Sequence, residues 1–407
     1  MIDYYETKSQ PVTRVMVWQA YKKVKANKGA AGIDEMSWQV LDGDLSKQLY
    51  KLWNRLTSGS YFPMAVREVE IPKSSGGVRK LGIPAIVDRI AQEVVRTHLE
   101  RIAEPHFHHS SFGYRKGKSQ HDALQQATSN ALRNDWVIDL DIKGFFDNID
   151  HELMMQAISH YCKDSWVLLY VKRWLKAGVM QQDGTCTISY TGTPQGGVIS
   201  PLLSNIFLHV VFDKWMEKHH PEKPFERYAD DILVHCKTEK QALFVLKMLQ
   251  QRMSKCKLTL HPAKTKIVNL RGTSEKKYPR SVDFLGFSLR PLWSKTSKGY
   301  MLMVSNFIST KSRQRVLQKF KSFAIHKWRK PIEEIASKLR PVIQGVINYY
   351  CKFWTSHTHS LWYQLNMRLL KWVKWEKGMY TKAAIRWLKT KYKEKPRLFP
   401  HWRLVHP

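Results

Sequence analysis

Two short stretches of this sequence carry residues able to do chemistry together. VIDLDIKGFFDNIDH (137–151) spaces carboxylates at Asp139, Asp141, Asp147 and Asp150, and RYADDILVHC (227–236) sets Asp230 beside Asp231. Asp141 closes an apolar run, and Asp230-Asp231 falls between the apolar segments 225–228 and 232–234. Carboxylates delivered from separate strands to one sheet edge suit Mg²⁺, which takes one or two of them and completes an octahedral shell with water and phosphate oxygens. Two such ions, roughly 3.5–4 Å apart, stabilise the attacking and leaving oxygens of an in-line displacement at phosphorus, as in joining nucleotides. Each acid also has a plainer reading. Asp pairs are common turn residues, and Asp150 is placed to cap a following helix. The combination is what sets them apart: two strand-ending acid sets in a strongly basic chain.

The elements that must position these acids follow from periodicity and breakers. Helical spacing covers 12–26 and 41–56, split by a Gly29–Gly32 turn. Residues 66–71 alternate like a strand, and Ser74-Ser75-Gly76-Gly77 turns the chain into a second strand, 78–83. Helical spacing returns over 87–102. A buried strand is expected over 136–142, ended by Gly144 and followed by a helix over 151–161. Another helix is expected over 199–215, and 225–236 reads as strand, tight turn, strand. The first 290 residues are thus α+β, and the remainder looks mainly helical.

Charge is the strongest global signal. Lys plus Arg total 67 against 34 acids, a net +33 in 407 residues, which makes nucleic acid the default partner. The excess is concentrated: residues 291–407 hold 25 Lys plus Arg, four acids and eight of the 15 Trp. That shift, with Gly286 and Pro291 as breakers, predicts a domain boundary near 285–295. Cations alternate with rings at Lys327-Trp328-Arg329-Lys330 and Lys371-Trp372-Val373-Lys374-Trp375, which suits a nucleic-acid face and a helical bundle at once, with the rings mainly inside. Five cysteines without C-x-x-C spacing point to neither a disulfide framework nor a zinc knuckle. With no secretory signal and no long apolar run, a reduced, soluble, cytoplasmic protein that does not enter membranes is expected.

Further motifs surround the acids. Tyr228-Ala229-Asp230-Asp231 resembles the YxDD box of reverse transcriptases, and DIKGFFDNIDH (141–151) resembles the first metal-binding motif of their group II intron branch. NKGAAGID (27–34), IPKSSGGVRKLGIP (71–84), TPQGGVISPLLSNIFL (193–208), LTLHPAKTKIV (258–268), FLGF (284–287) and LRPVIQGVINYY (339–350) resemble that family's remaining motifs in its own order. The resemblance, to bacterial group II intron-type reverse transcriptase/maturases, covers nearly the whole chain.

It implies an α+β right-hand polymerase, with fingers and palm built on antiparallel sheet and a mainly helical thumb/maturase domain after them. The implied division is an N-terminal extension (1–60), fingers and palm (61–290), thumb/maturase domain (291–377) and a short DNA-binding region (378–407). Asp141 and Asp230 become the main ligands of two Mg²⁺ ions, with Mn²⁺ as a substitute; the Ile142 carbonyl assists and Asp231 is a neighbouring carboxylate. Lys73 and Arg79 match the residues gripping the incoming deoxynucleoside triphosphate, Arg as a fork and Lys as a point charge. Phe146 matches the ring that closes under the sugar and excludes a 2′-hydroxyl, its neighbour Phe145 being the core candidate. Gln195, Gly196 and Gly197 match a nucleotide-contacting segment where backbone approaches closely. Phe284, Leu285, Gly286 and Phe287 match the primer grip. Lys264 or Lys266 matches the acid that protonates pyrophosphate, and the sequence leaves both open. Arg115, Lys116 and Lys118 could track the template backbone, and Lys371, Lys374 and Lys377 RNA or DNA.

Implied partners are an RNA template, the cognate intron RNA and a DNA primer or target. A domesticated relative in phage defence or repair, or a splicing cofactor acting by RNA binding, would share the motifs. Without a C-terminal C-x-x-C pair, no endonuclease is expected.

Overall fold

A computed structural model describes residues 10–72, 77–188, 190–271, 277–297 and 299–407. The first helix, Arg14–Ala26, starts where the Thr13 hydroxyl accepts the Met16 N–H at 2.9 Å, and buries Val17, Ala20, Tyr21 and Val24. The next helical pattern is split in two, Trp38–Gly43 and Leu45–Thr57. Gly43 followed by Asp44 interrupts it, both being poor helix-interior residues.

Eleven strands are described. They are β1 (Val66–Pro72), β2 (Val78–Ile83), β3 (Trp136–Leu140), β4 (Gly178–Met180), β5 (Cys186–Ile188) and β6 (Phe225–Tyr228). Then come β7 (Asp231–Cys236), β8 (Lys266–Asn269), β9 (Val282–Phe284), β10 (Phe287–Thr296) and β11 (Gly299–Ile308). Three sheets result, ordered β2-β1-β4-β5, β6-β7-β3-β8 and β11-β10-β9. β1 and β2 form an antiparallel hairpin in which Arg67 faces Ile83 and Pro72 faces Val78. Its tip, Lys73 included, lies outside the described residues. The helix His151–Tyr161 forms as its pattern predicts, with Asp150 Oδ1 accepting the Leu153 N–H at 3.0 Å.

Two compact units divide the chain. One comprises Met1–Ser119, Ile138–Val234 and Glu239–Lys266; the other comprises Gln120–Val137, His235–Thr238 and Ile267–Pro407. In the first, the long helix Ile86–Ala103 is buried along most of its length. Asp88, in its first turn, accepts the Tyr61 hydroxyl at 2.6 Å and the Met64 N–H at 3.0 Å. Burial pushes the Asp88 carboxyl up to about 6, against the pull of those two bonds. The folded protein therefore keeps a proton that the unfolded chain releases near pH 4. Stability from this group is highest below pH 4 and falls as pH rises from about 4 to 6. Urea unfolding at pH 4.5 and pH 7 should show Asp88→Asn with about 2 kcal/mol less loss between the two than the parent protein. An equal loss in both would remove Asp88 as the source.

The basic region from Pro291, expected to be mainly helical, is not helical from its start. Pro291, read above as a breaker, lies inside β10 opposite Val304. β9 pairs with β10 only from Phe287 to Leu289, so the ladder on that side asks no N–H of Pro291. Behind this hairpin the helices Thr310–Ser322, Ile332–Tyr350, His359–Glu376 and Thr381–Glu394 enclose a core in which Trp362, Trp372, Phe399 and Trp402 are fully buried. Each buried indole N–H finds an acceptor: Thr358 Oγ1 at 3.0 Å, the Trp328 carbonyl at 2.9 Å and Asn366 Oδ1 at 3.2 Å. No helix among the described residues is long and apolar enough to cross a membrane.

Candidate active site

In the β6–β7 hairpin Tyr228 pairs with Asp231, leaving Ala229 and Asp230 as a two-residue turn. Ala229 takes a φ of 57°, the left-handed region this tight turn requires. Segment 110–113 lies along β6: the Arg227 N–H donates to the Ser110 carbonyl at 2.9 Å, and the Phe112 N–H to the Arg227 carbonyl at 2.8 Å. A side chain at Gly113 would stand 2.4 Å from the Ala229 nitrogen, so only glycine lets this segment pass. On β3, next to β7 in the sheet, the strand ends one residue before Asp141. The Asp141 carbonyl accepts the His261 N–H at 2.7 Å, and the Lys143 N–H donates to the Thr259 carbonyl at 2.9 Å. That pairing does not use the Ile142 carbonyl.

Asp141, Asp230 and Asp231 thus line one cavity of about 880 Å³, with Arg79, Lys143 and Lys264 among the other walls. Burial, then repulsion from Asp230 and Asp141, pushes the Asp231 carboxyl up to about 6. Burial and Asp141 also raise Asp230, while Arg79 pulls it down. Lys264 Nζ stands 3.5 Å from Asp141 Oδ2. Among the described residues no three His, Cys, Asp or Glu side chains close into a ready-made metal cage. An open, mutually repelling set of carboxylates fits Mg²⁺, which relies on substrate oxygens and water for most of its shell.

The other expected residues distribute unevenly. Arg79 is exposed on β2 and lines the cavity; Lys73 is outside the described residues. Phe145 is buried, while Phe146 is half-buried at the cavity wall. Gln195 lines the cavity and donates to Asp147 Oδ1 at 3.2 Å. Gly196, expected to admit a nucleotide closely, lines the cavity, and its packing on β2 also demands glycine. At φ 123° its missing Cβ would lie 2.5 Å from the Gly82 carbonyl, so the close approach is to β2. Gly197 likewise faces Ser200 Oγ at 2.7 Å. Lys264 reaches the cavity, whereas Lys266 begins β8 and is not among its walls.

Arg115 also departs from expectation. Its side chain is 8% exposed, and its guanidinium is taken up by Glu104 at 2.8 Å and by the His108 and Ser111 carbonyls at 2.7 Å. It braces the 108–111 loop instead of facing template phosphates; Lys116 beside it is exposed, and Lys118 donates to the His109 carbonyl at 3.0 Å. In the second unit, Phe284 and Phe287 are buried and Leu285-Gly286 form a tight turn, with φ of 49° and 78°. The Tyr349 hydroxyl holds the Leu285 carbonyl at 2.7 Å. Lys371, Lys374 and Lys377 are exposed while Trp372 and Val373 turn inward. Tyr114, 57% exposed at φ 57°, and His261 were not singled out from the sequence, yet both line the cavity. Tyr114 lies in SFGYRKGKS, where the cations drew attention instead.

Crowded carboxylates at the end of a sheet, faced by cations, have the chemistry that suits divalent metal and phosphate. The reverse transcriptase (RNA-dependent DNA polymerase) family matches residues 71–289, more than half of the chain, and the group II intron maturase-specific domain matches residues 313–392. The chain belongs to the reverse transcriptase family, in its group II intron type. It is similar to the protein YkfC of Escherichia coli K12, 37% identical over 209 residues, covering 50% of this chain and 54% of that one. It is also similar to the group II intron-encoded protein LtrA of Lactococcus lactis subsp. cremoris, 36% identical over 219 residues, covering 52% of this chain and 36% of that one. The chain thus spans about half the length of the first relative and about a third of the second.

Proposed function

We propose that this chain is a right-hand RNA-directed DNA polymerase that extends a primer with deoxynucleotides, and that it binds intron RNA to support splicing and mobility of a group II intron. The observation that carries the reading is the convergence of Asp141, Asp230 and Asp231 on one cavity beside Phe146. Asp141 and Asp230 would hold the metal pair, with the Ile142 carbonyl and Asp231 beside them. Bound there, two Mg²⁺ ions would activate the primer 3′-hydroxyl and neutralise charge on the triphosphate. Arg79 meets phosphate oxygens from β2, and Lys73 is assigned the same role by its place in the motif. Phe146 lies beneath the sugar and Gln195 against the nucleotide. Lys264 holds a proton near the leaving pyrophosphate, and the Leu285-Gly286 turn meets the primer. Fingers and palm (61–290) would follow an extension (1–60) and precede a thumb/maturase domain (291–377) and a DNA-binding end (378–407), the protein working in the bacterial cytoplasm. RNA-templated primer extension tests the polymerase reading.

RNA binding would rest on the basic second unit. Trp375 is 47% exposed with the Arg329 guanidinium 3.4 Å over its ring, and Lys371, Lys374 and Lys377 lie nearby on the same helix and its end. Each phosphate neutralised by Lys or Arg releases counterions, so affinity falls with salt by a slope of roughly 0.7–0.9 per contact. Replacing all three lysines by Ala should flatten that slope by about two to three, while single-nucleotide addition at saturating primer survives. Binding titrations at several salt concentrations measure it. An unchanged slope would make these lysines a solvated helix face.

A further inference from the structure

Beneath the acid-bearing hairpin lies a buried polar network that the chemistry above does not use. Arg227, next to the Tyr-Ala-Asp-Asp box, is fully buried, as is Asp213. The guanidinium forks onto that carboxylate, Nε to Oδ1 at 2.7 Å and Nη2 to Oδ2 at 2.6 Å. Its Nη1 donates to Asn205 Oδ1 at 2.9 Å and to the Ala229 carbonyl at 3.3 Å. Asn205 Nδ2 in turn donates to the Gly113 carbonyl at 2.7 Å, on the segment that presses against the turn. His209 Nδ1 stands 3.2 Å from Asp213 Oδ2, the two residues ending a single wide π-turn that interrupts an otherwise α-helical run from Ser200 to His219.

A buried ion pair is a poor way to gain stability, because desolvating two charges cancels most of their attraction, and apolar residues of like volume often serve as well. What this pair supplies is geometry. An Arg fork matches a carboxylate in one plane and leaves its third nitrogen aimed in a fixed direction. Here that nitrogen meets the carbonyl of Ala229, the peptide that joins Ala229 to Asp230. Ala229 holds a positive φ that non-glycine residues keep only where their surroundings impose it. The wide turn places Asp213 to receive the fork; such turns recur at functional sites.

We propose that Arg227, oriented by Asp213 and Asn205, is the positioning residue of the acid hairpin, fixing the peptide before Asp230 and so the direction in which Asp230 and Asp231 meet divalent cations. The proposal rests on reading those acids as the metal-holding pair.

The test uses the full chain and Mn²⁺ alone, titrated by electron paramagnetic resonance without nucleotide or primer. Arg227→Lys keeps a cation opposite Asp213 but cannot fork and also reach Asn205 and Ala229. Outer-shell substitutions of this kind cost about 10- to 100-fold in metal affinity, and that weakening is expected here at a temperature where the variant is fully folded. In primer extension the same variant should lose kcat with little change in nucleotide KM, and recover part of it as metal is raised. Asp230→Asn sets the baseline: if it binds Mn²⁺ as the parent does, the metal reading of the acids fails, whatever Arg227 does. If Asp230→Asn loses binding but a folded Arg227→Lys retains parental affinity, the positioning role is overturned. Should Arg227→Lys fail to fold, Asn205→Ala carries the test, since it spares the ion pair and removes the Nη1 bond that orients Arg227 together with the link to Gly113. A several-fold weaker affinity then supports the proposal, and parental affinity overturns it.

Discussion

Asp230→Asn should abolish primer extension on any template while leaving the protein folded and able to bind nucleic acid. The carboxylate sits in the turn of the β6–β7 hairpin, where Asn has nearly the same shape and tolerates the same backbone. No stability is expected to be lost, because Asp230 already bears repulsion from Asp141 and in turn raises Asp231. Chemistry is different. A ligand shared with a metal at the reacting phosphate supports several kcal/mol of transition-state stabilisation. At about 1.36 kcal/mol per factor of ten, losing ~4 kcal/mol slows the step ~1000-fold. Binding should barely move, since one charge changes against a net +33. Single-turnover addition in Mg²⁺ measures the first and a filter-binding titration the second. Substantial addition by the variant would remove Asp230 from the metal site.

The adjacent rings Phe145 and Phe146 should separate into two different losses. Phe145 is 2% exposed, and its ring meets Phe146 edge-on at 5.3 Å and Phe207 at 6.5 Å. Truncating it to Ala opens a cavity in the core and should cost about 3–5 kcal/mol of stability. Both rings border the 880 Å³ cavity, but Phe146 is the more exposed of the two, so Phe146→Val should cost less stability. It should relax the exclusion of a 2′-hydroxyl, raising the ribonucleotide-to-deoxynucleotide ratio of kcat/KM by about 10- to 200-fold, the range that small steric differences in a pocket produce. Competing nucleotide incorporation beside thermal unfolding gives both numbers. An unchanged ratio at Phe146 together with a shift at Phe145 would reverse the two roles.

Much of this was legible because local pattern and local structure agree. Alternation over 66–71, the helix over 151–161 and the strand-turn-strand over 225–236 need only near neighbours to be read, and they form as the spacing predicts. What stayed hidden depends on partners far along the chain. Gly196 reads as a ligand-facing glycine and does line the cavity, but nothing in its own segment reveals that Gly82 also lies against it. Arg115 read as a cation facing the template and Arg227 only as the first residue of the acid motif, yet each side chain is buried on a carboxylate supplied by another element. Pro291 looked like a breaker because β9's early end, which spares it a ladder bond, is set by pairing and not by composition. Periodicity reports which face of an element is covered, not what covers it.

The central claim is that this chain copies RNA into DNA with the carboxylates of one cavity. Its most direct test is single-turnover extension of a DNA primer annealed to an RNA template, in Mg²⁺, with each deoxynucleotide supplied singly. The account predicts addition of the nucleotide complementary to the template and of little else, dependent on Mg²⁺ and lost on chelation. A folded protein that binds the primer–template yet adds no nucleotide in either Mg²⁺ or Mn²⁺, or that adds nucleotides without regard to the template, would contradict it.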